Sequence, residues 1–180
     1  AEAIKGMKFC PIIEGIFGSF INHENWKYRV AALRGLAATS SIWDSSQLPY
    51  QRILQGFKDP HPLVRYAAVY CIVVLLEQFT PHIQTEYYEK LFPALVEPLN
   101  EFNHPRLQAA SINAISFLVD PLEKGQLLPY LNDLVNMMIQ LLQRGIGSVQ
   151  ECALLTLASL SGAAEEEFRP FYSQVMPFVK

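Results

Sequence analysis

The side chains of this sequence that could carry chemistry are four histidines, three cysteines, a run of three glutamates and two tryptophans. A zinc site on a helix needs histidines at i and i+4, or a Cys-x-x-Cys pair, because such spacings place two ligands on one side of the metal. His23, His61, His82 and His104 contain no such pair, and no Cys-x-x-Cys exists. Three of these histidines stand in or beside segments that read as turns before a helix, which points to capping of unpaired backbone amides. A nucleophilic cysteine needs an electropositive, partly exposed setting to hold a thiolate. Cys71 and Cys152 fall instead on apolar helical stripes, and together with Cys10 they read as reduced core residues. A nucleophile elbow, a Gly-rich phosphate loop and a Walker motif are all missing, and Gly15, Gly18 and Gly35 read as close-packing positions. No catalytic, metal-binding or cofactor-binding residue is assigned.

The aromatic and acidic groups have two readings each. Trp26 is placed to staple a turn to its helix, or to anchor a partner's side chain; Trp43 fits an anchor and a structural role equally well. Glu165-Glu166-Glu167 is either an acidic docking patch or a set of carboxylates complementing a helix N-terminus.

Composition narrows the classes further. Of the 180 residues 51% are apolar, so a sizeable core can be buried, yet only 17% are Asp, Glu, Lys or Arg against the usual ~25%. Much of the surface is therefore expected to be covered, as in a piece cut from a longer assembly. Net charge is -3 and the basic residues cluster only between Lys27 and Arg34, so no phosphate-neutralising stripe is present and nucleic acid is not an expected partner. The longest uncharged apolar run, Ala67 to Leu76, is about half the ~20 residues that span a bilayer and reads as a buried helix. No secretory signal pattern and no membrane role are expected.

What positions these residues is an internal repeat. Tyr28-Arg29-Val30-Ala31-Ala32, Val64-Arg65-Tyr66-Ala67-Ala68, Leu107-Gln108-Ala109-Ala110-Ser111 and Val149-Gln150-Glu151-Cys152-Ala153 align without gaps at spacings of 36, 43 and 42 residues. From the first residue of each segment, apolar or small side chains fall at offsets 0, 3, 4, 7, 8 and 11, the stripe of an amphipathic helix. Another periodic segment precedes each: Ile12, Ile16 and Phe20; Ile53, Leu54 and Phe57; Leu91, Leu95 and Leu99; Leu131, Leu134 and Met138. Every repeat is thus a helix pair joined by turn-forming residues, with Pro62 and Pro105 at first-turn positions where proline costs no hydrogen bond.

Such a period favours HEAT repeats over the ~34-residue tetratricopeptide and ~33-residue ankyrin repeats. The fold class is all-α, an α-α superhelix or HEAT-repeat solenoid of about four helix pairs plus the start of a fifth. The whole chain, 1–180, reads as one segment with repeats near 1–43, 44–80, 81–121 and 122–163 and a partial one over 164–180. Second helices are expected to start near Asn25, Pro62, Pro105 and Ser148 and to stack in parallel along one surface. Asp59 and Arg65 are expected to form an inter-repeat ladder. Stripes holding Ile12, Phe17, Phe171 and Met176 are expected to lack partners and to promote self-association.

Particular stretches also resemble a known family. Asn25-Trp26-Lys27-Tyr28-Arg29, followed by Ala31 and Leu33, resembles a helix start of importin beta family receptors. Asp59-Pro60-His61-Pro62-Leu63-Val64-Arg65-Tyr66-Ala67-Ala68 is similar to a turn of the same family. Leu128-Pro129-Tyr130-Leu131 and the stretch from Ala163 to Pro177 resemble the importin-five branch. Asn25 in place of Asp, and Gln108 in place of a basic residue, are departures. The resemblance implies a receptor that shuttles between cytoplasm and nucleus, binds protein cargo with a basic import signal, contacts Phe-Gly nucleoporins and releases cargo to Ran-GTP; the alternative is another HEAT-repeat scaffold, such as a phosphatase regulatory subunit or other assembly platform.

Offsets 6 and 13 of the second helices fall off the core stripe and on one side, since seven residues make nearly two turns. They hold Arg34 and Ser41, then Tyr70 and Glu77, then Asn113 and Asp120. With Trp43, Arg34, Tyr70, Glu77, Asn113 and Asp120 form the expected cargo-facing set, in which the carboxylates would hold Lys or Arg and the neutral side chains the stem and backbone.

Overall fold

The structure is a computed structural model and describes residues 15–43 and 48–179. Cys10 and Ile12 lie outside the described residues. Among those described there is no β-strand, and the chain divides into two compact units that meet in the chain at His82 and Ile83.

The first unit holds helical residues 15–21 (α1), Trp26–Ala38 (α2), Tyr50–Gly56 (α3) and Pro62–Gln78 (α4). Its helix starts follow from the turn residues. Asn25 is the N-cap of α2 and its side chain accepts from the Lys27 amide at 3.0 Å, while His61 caps α4 by accepting from Leu63 at 3.2 Å, with Pro62 in the first turn. Helix α4 packs on both α2 and α3. Val64, Ala67, Ala68, Cys71, Ile72 and Leu75, the whole expected stripe, are buried, together with Val69 and Leu76. Each of its large apolar side chains contributes roughly 1.5–3 kcal/mol by leaving water.

In α2 the stripe is displaced: Ala32, Leu33, Leu36 and Ala37 are buried, whereas Tyr28 is 44% exposed and Ala31 lies outside. Tyr28 instead lays its ring against His23 at 4.2 Å and Phe20 at 5.4 Å. Of the three glycines expected to permit close packing, Gly35 does so beneath the Phe17 ring and Gly18 beneath Arg52, whereas a methyl group on Gly15 would meet no described residue within 4 Å. A fourth, Gly56, sits where an added Cβ would come within 2.9 Å of Ala68.

The second unit contains α5 (His82–Val96) from Ile83 onward, a short 3-10 turn at Glu97–Asn100, α6 (Pro105–Val119), α7 (Lys124–Arg144) and α8 (Gly147–Ala164). Helix α8 packs on α6 and α7, and Tyr130 of α7 stacks on Phe92 of α5 at 4.5 Å. Glu123 and Gln126 close a reciprocal capping box at the start of α7. In α8 five of the six expected core positions are buried; Cys152 is only half-buried.

Helix α8 ends at Glu165, whose φ of 52° breaks the helical run. The expected fifth first helix is therefore in two parts: Glu165–Phe171 winds as a 3-10 helix and only Tyr172–Val179 (α9) is α-helical. The three glutamates are exposed in the first 3-10 turn, where Glu165 and Glu167 lie 3.8 and 4.0 Å from the Lys124 ammonium. The expectation of partnerless apolar stripes holds at Met176, which is 42% exposed. It fails at Phe171, half-buried against Phe168, and at Phe17, which covers Gly35.

Candidate binding surface of the second helices

Two sets of polar groups belong to the second helices, one at their starting turns and one further along. At the turn edge, Arg29 binds the Asp59 carboxylate with both arms of its fork, Nε to Oδ2 at 2.6 Å and Nη2 to Oδ1 at 2.8 Å. Burial alone would raise the Asp59 pKa, but hydrogen bonds from Arg29 and the His61 amide, with the Arg29 charge, outweigh it and hold the carboxyl below its ordinary value. The expected ladder is thus corrected. Asp59 does link adjacent repeats, but its side-chain partner is Arg29; Arg65 Nη1 donates to the Asp59 and Pro60 carbonyls of its own turn, at 2.7 and 3.2 Å. Arg29 Nη1 does the same to His23 and Glu24, both at 2.8 Å. Trp26 stacks on His61 at 4.1 Å, so it staples turn to turn.

One device recurs here in all four repeats. The residue at offset 1 is Arg29, Arg65, Gln108 or Gln150, and each donates a side-chain N–H to main-chain carbonyls just before its own helix; Gln108 reaches Leu99 and Gln150 reaches Leu142, both at 2.7 Å. The common signal was present in the alignment, since Arg and Gln both end in planar N–H donors.

Further along the second helices, Arg34, Glu77, Asn113 and Asp120 are exposed and Tyr70 is 46% exposed. The same offset in the fourth repeat holds Leu155, 64% exposed. Trp43 does not belong to this set: it is 5% exposed, and its indole N–H donates to Thr39 Oγ1 at 3.0 Å, so the extended residue after the Ser40–Ile42 turn folds it into the core. Glu77 lies in the last turn of α4 and Asp120 is the C-cap of α6. Both carboxylates stand at the negative pole of a helix, where no basic residue of the last turn offsets them. That placement costs the fold a little and deepens the negative potential offered to a cation.

Nucleophilic chemistry finds no footing in these residues. Burial pushes the Cys71 thiol up to about 12, and burial with the nearby Glu151 charge also raises that of Cys152. Among the described residues no group of three or more His, Cys, Asp or Glu side chains could hold a metal, and no helix is long and apolar enough to cross a membrane.

The family model described as HEAT repeat matches residues 50–79, which are α3, its turn and α4. The chain is a HEAT-repeat solenoid. This HEAT-repeat chain is 28% identical over 164 residues to importin subunit beta-3 of Saccharomyces cerevisiae, covering 88% of its own length and 15% of that protein. It is also similar to the crystal structure of the karyopherin Kap121p bound to the SUMO protease Ulp1p, with TM-score 0.86, 27% identity and coverage of 93% of this chain and 17% of that one. Kap121p bound to Nup53p gives TM-score 0.84 at 26% identity, with the same shares covered. The solenoid thus spans a small part of the proteins it matches, and its likeness is to importins and karyopherins.

Proposed function

We propose that this chain is a cargo-binding segment of a nuclear-transport receptor of the importin beta family, acting as a binding protein rather than an enzyme. The observation that carries the cargo role is the placement of Glu77 and Asp120: exposed carboxylates at one register position of two successive second helices, each at a helix C-terminus. There the helix dipole adds to the carboxylate in drawing Lys or Arg of an import signal. Tyr70 and Asn113, seven residues back on the same helices, would each pack beside the side chain held on its own helix. On this reading the protein shuttles between cytoplasm and nucleus, meets Phe-Gly nucleoporins and yields cargo to Ran-GTP. The likeness to importin subunit beta-3 and to Kap121p in complex with Ulp1p and Nup53p supports it. The importin-five-like branch rests on Leu128-Pro129-Tyr130-Leu131 and on Glu166-Glu167-Phe168 with Pro170-Phe171-Tyr172.

The test is binding of a fluorescent Lys-rich import peptide to the protein and to its Glu77→Lys/Asp120→Lys variant. We expect affinity to fall about tenfold or more and its salt dependence to flatten. Thermal stability should hold or rise, because each change relieves about 0.3–1 kcal/mol of unfavourable dipole interaction. Unchanged affinity with unchanged salt dependence would remove both residues from the site.

A further inference from the structure

We propose that the groove between α2 and α4 receives an anionic side chain, a carboxylate or a phosphoryl group, of a bound peptide. The groove measures ≈ 360 Å³, at the small end of the ~300–1,000 Å³ typical of ligand clefts. Arg34, Ala37 and Ala38 of α2 line it at helical spacing, opposite Tyr66, Tyr70 and Val74 of α4. The alanines and Val74 give it apolar lining. Arg34 contributes a guanidinium and the tyrosines contribute two phenols.

Three facts select the ligand. Among the described residues none that lines the groove is acidic, and the one formal charge they bring is positive. Arg34 makes no ion pair or hydrogen bond with another described residue, in contrast to Arg29 and Arg65 at the turn edge of the same helices. The polar groups on offer are a fork of N–H donors and two hydroxyls, a set that matches the acceptor oxygens of a carboxylate or phosphate. A Lys side chain would meet like charge here, and an apolar one would cover the donors without pairing them. The inference deepens the cargo-binding reading and rests on it for the ligand being a peptide; the anion chemistry stands on the groove alone. It also makes the surface bipolar: along α4, Tyr70 belongs to an anion pocket while Glu77, nearly two turns on, attracts a cation.

Two measurements separate the inferences. In the first, N-acetyl-phosphoserine amide and N-acetyl-aspartate amide are titrated into the protein while the Arg34 Nε–H and the Tyr66 and Tyr70 ring resonances are followed by NMR. We expect saturable shifts at these three residues, and in Arg34→Ala an affinity at least tenfold weaker as read at Tyr66 and Tyr70; the tighter of the two probes names the anion's source. Absence of saturable shifts with both probes, or shifts that survive Arg34→Ala unchanged, would overturn the proposal. In the second, a Lys-rich peptide carrying one Asp or phosphoserine is compared with its Ala counterpart. Arg34→Glu should abolish or invert the preference for the acidic peptide, by about tenfold, and a preference unmoved by Arg34→Glu would also overturn it. Should none of these Lys-rich peptides bind, the cargo reading falls, and the small-anion titration still decides the groove.

Discussion

Asp59 connects two repeats through one side chain, and its protonation therefore sets a pH limit on the first unit. Its folded pKa is depressed, so the stabilising contribution is complete above the ordinary carboxylate value near 4 and disappears as pH falls through the lower folded value. Asp59→Asn should cost about 1–3 kcal/mol at pH 7 in urea unfolding, between the values for exposed and buried pairs, and the gap between wild type and variant should close on acidification below pH 4. A gap that stays constant from pH 7 to 3 would mean that the carboxylate charge is immaterial. Cys71 offers a second check, since a fully buried thiol with a pKa pushed up to about 12 should stay unlabelled by a thiol reagent at pH 8 until urea unfolds the chain. At this scale the sequence was only partly legible. The Asp in the turn and the Arg on the helix were visible, but Arg29 and Arg65 occupy equivalent positions, and only side-chain direction decides which one the carboxylate meets. Trp43 was equally undecidable, because its direction depends on the turn of Ser40–Ile42 that precedes it.

The helices themselves were the most legible level. Asn25, Pro62 and Pro105 mark starts because each solves the problem of unpaired first-turn amides by a side-chain acceptor or by having no N–H to pair. The 3-10 winding of Glu165–Phe171 was not legible, since Phe168, Phe171, Tyr172 and Val175 fit an α-helical spacing equally well and the backbone turn at Glu165 leaves no mark in the pattern. Packing between elements gives the sharpest prediction here. A methyl group on Gly35 would run into the Phe17 ring, so Gly35→Ala must displace α1 or that ring and should destabilise the first unit by about 1–3 kcal/mol, although alanine is the better helix former. Gly125→Ala, where the added methyl meets nothing within 4 Å, should instead be neutral or stabilising in the same thermal melt. Equal behaviour of the two variants would show that the close contact carries no energy.

For the molecule taken whole, the apolar surface left outside the core bears on solution behaviour. Tyr172, Met176 and Val179 are 50%, 42% and 61% exposed and fall on one stripe of α9. We expect concentration-dependent self-association in analytical ultracentrifugation, reduced by Met176→Lys with Val179→Lys, because contiguous apolar patches of this kind are usually covered. Association that is indifferent to both changes would place the sticky surface elsewhere. The repeat architecture was legible from its period, whereas the division near His82 was not, because the register of the core stripe runs on without interruption. The donors at Arg29, Arg65, Gln108 and Gln150 also have a kinetic consequence. Each closes a contact only five to nine residues back along the chain, so the act that locks a helix pair needs no distant segment. Chains rich in such short-range closures fold quickly, and stacked repeats can begin at any one of them. A chain leaving the ribosome could therefore finish each pair as it emerges, with its later repeats still unwritten.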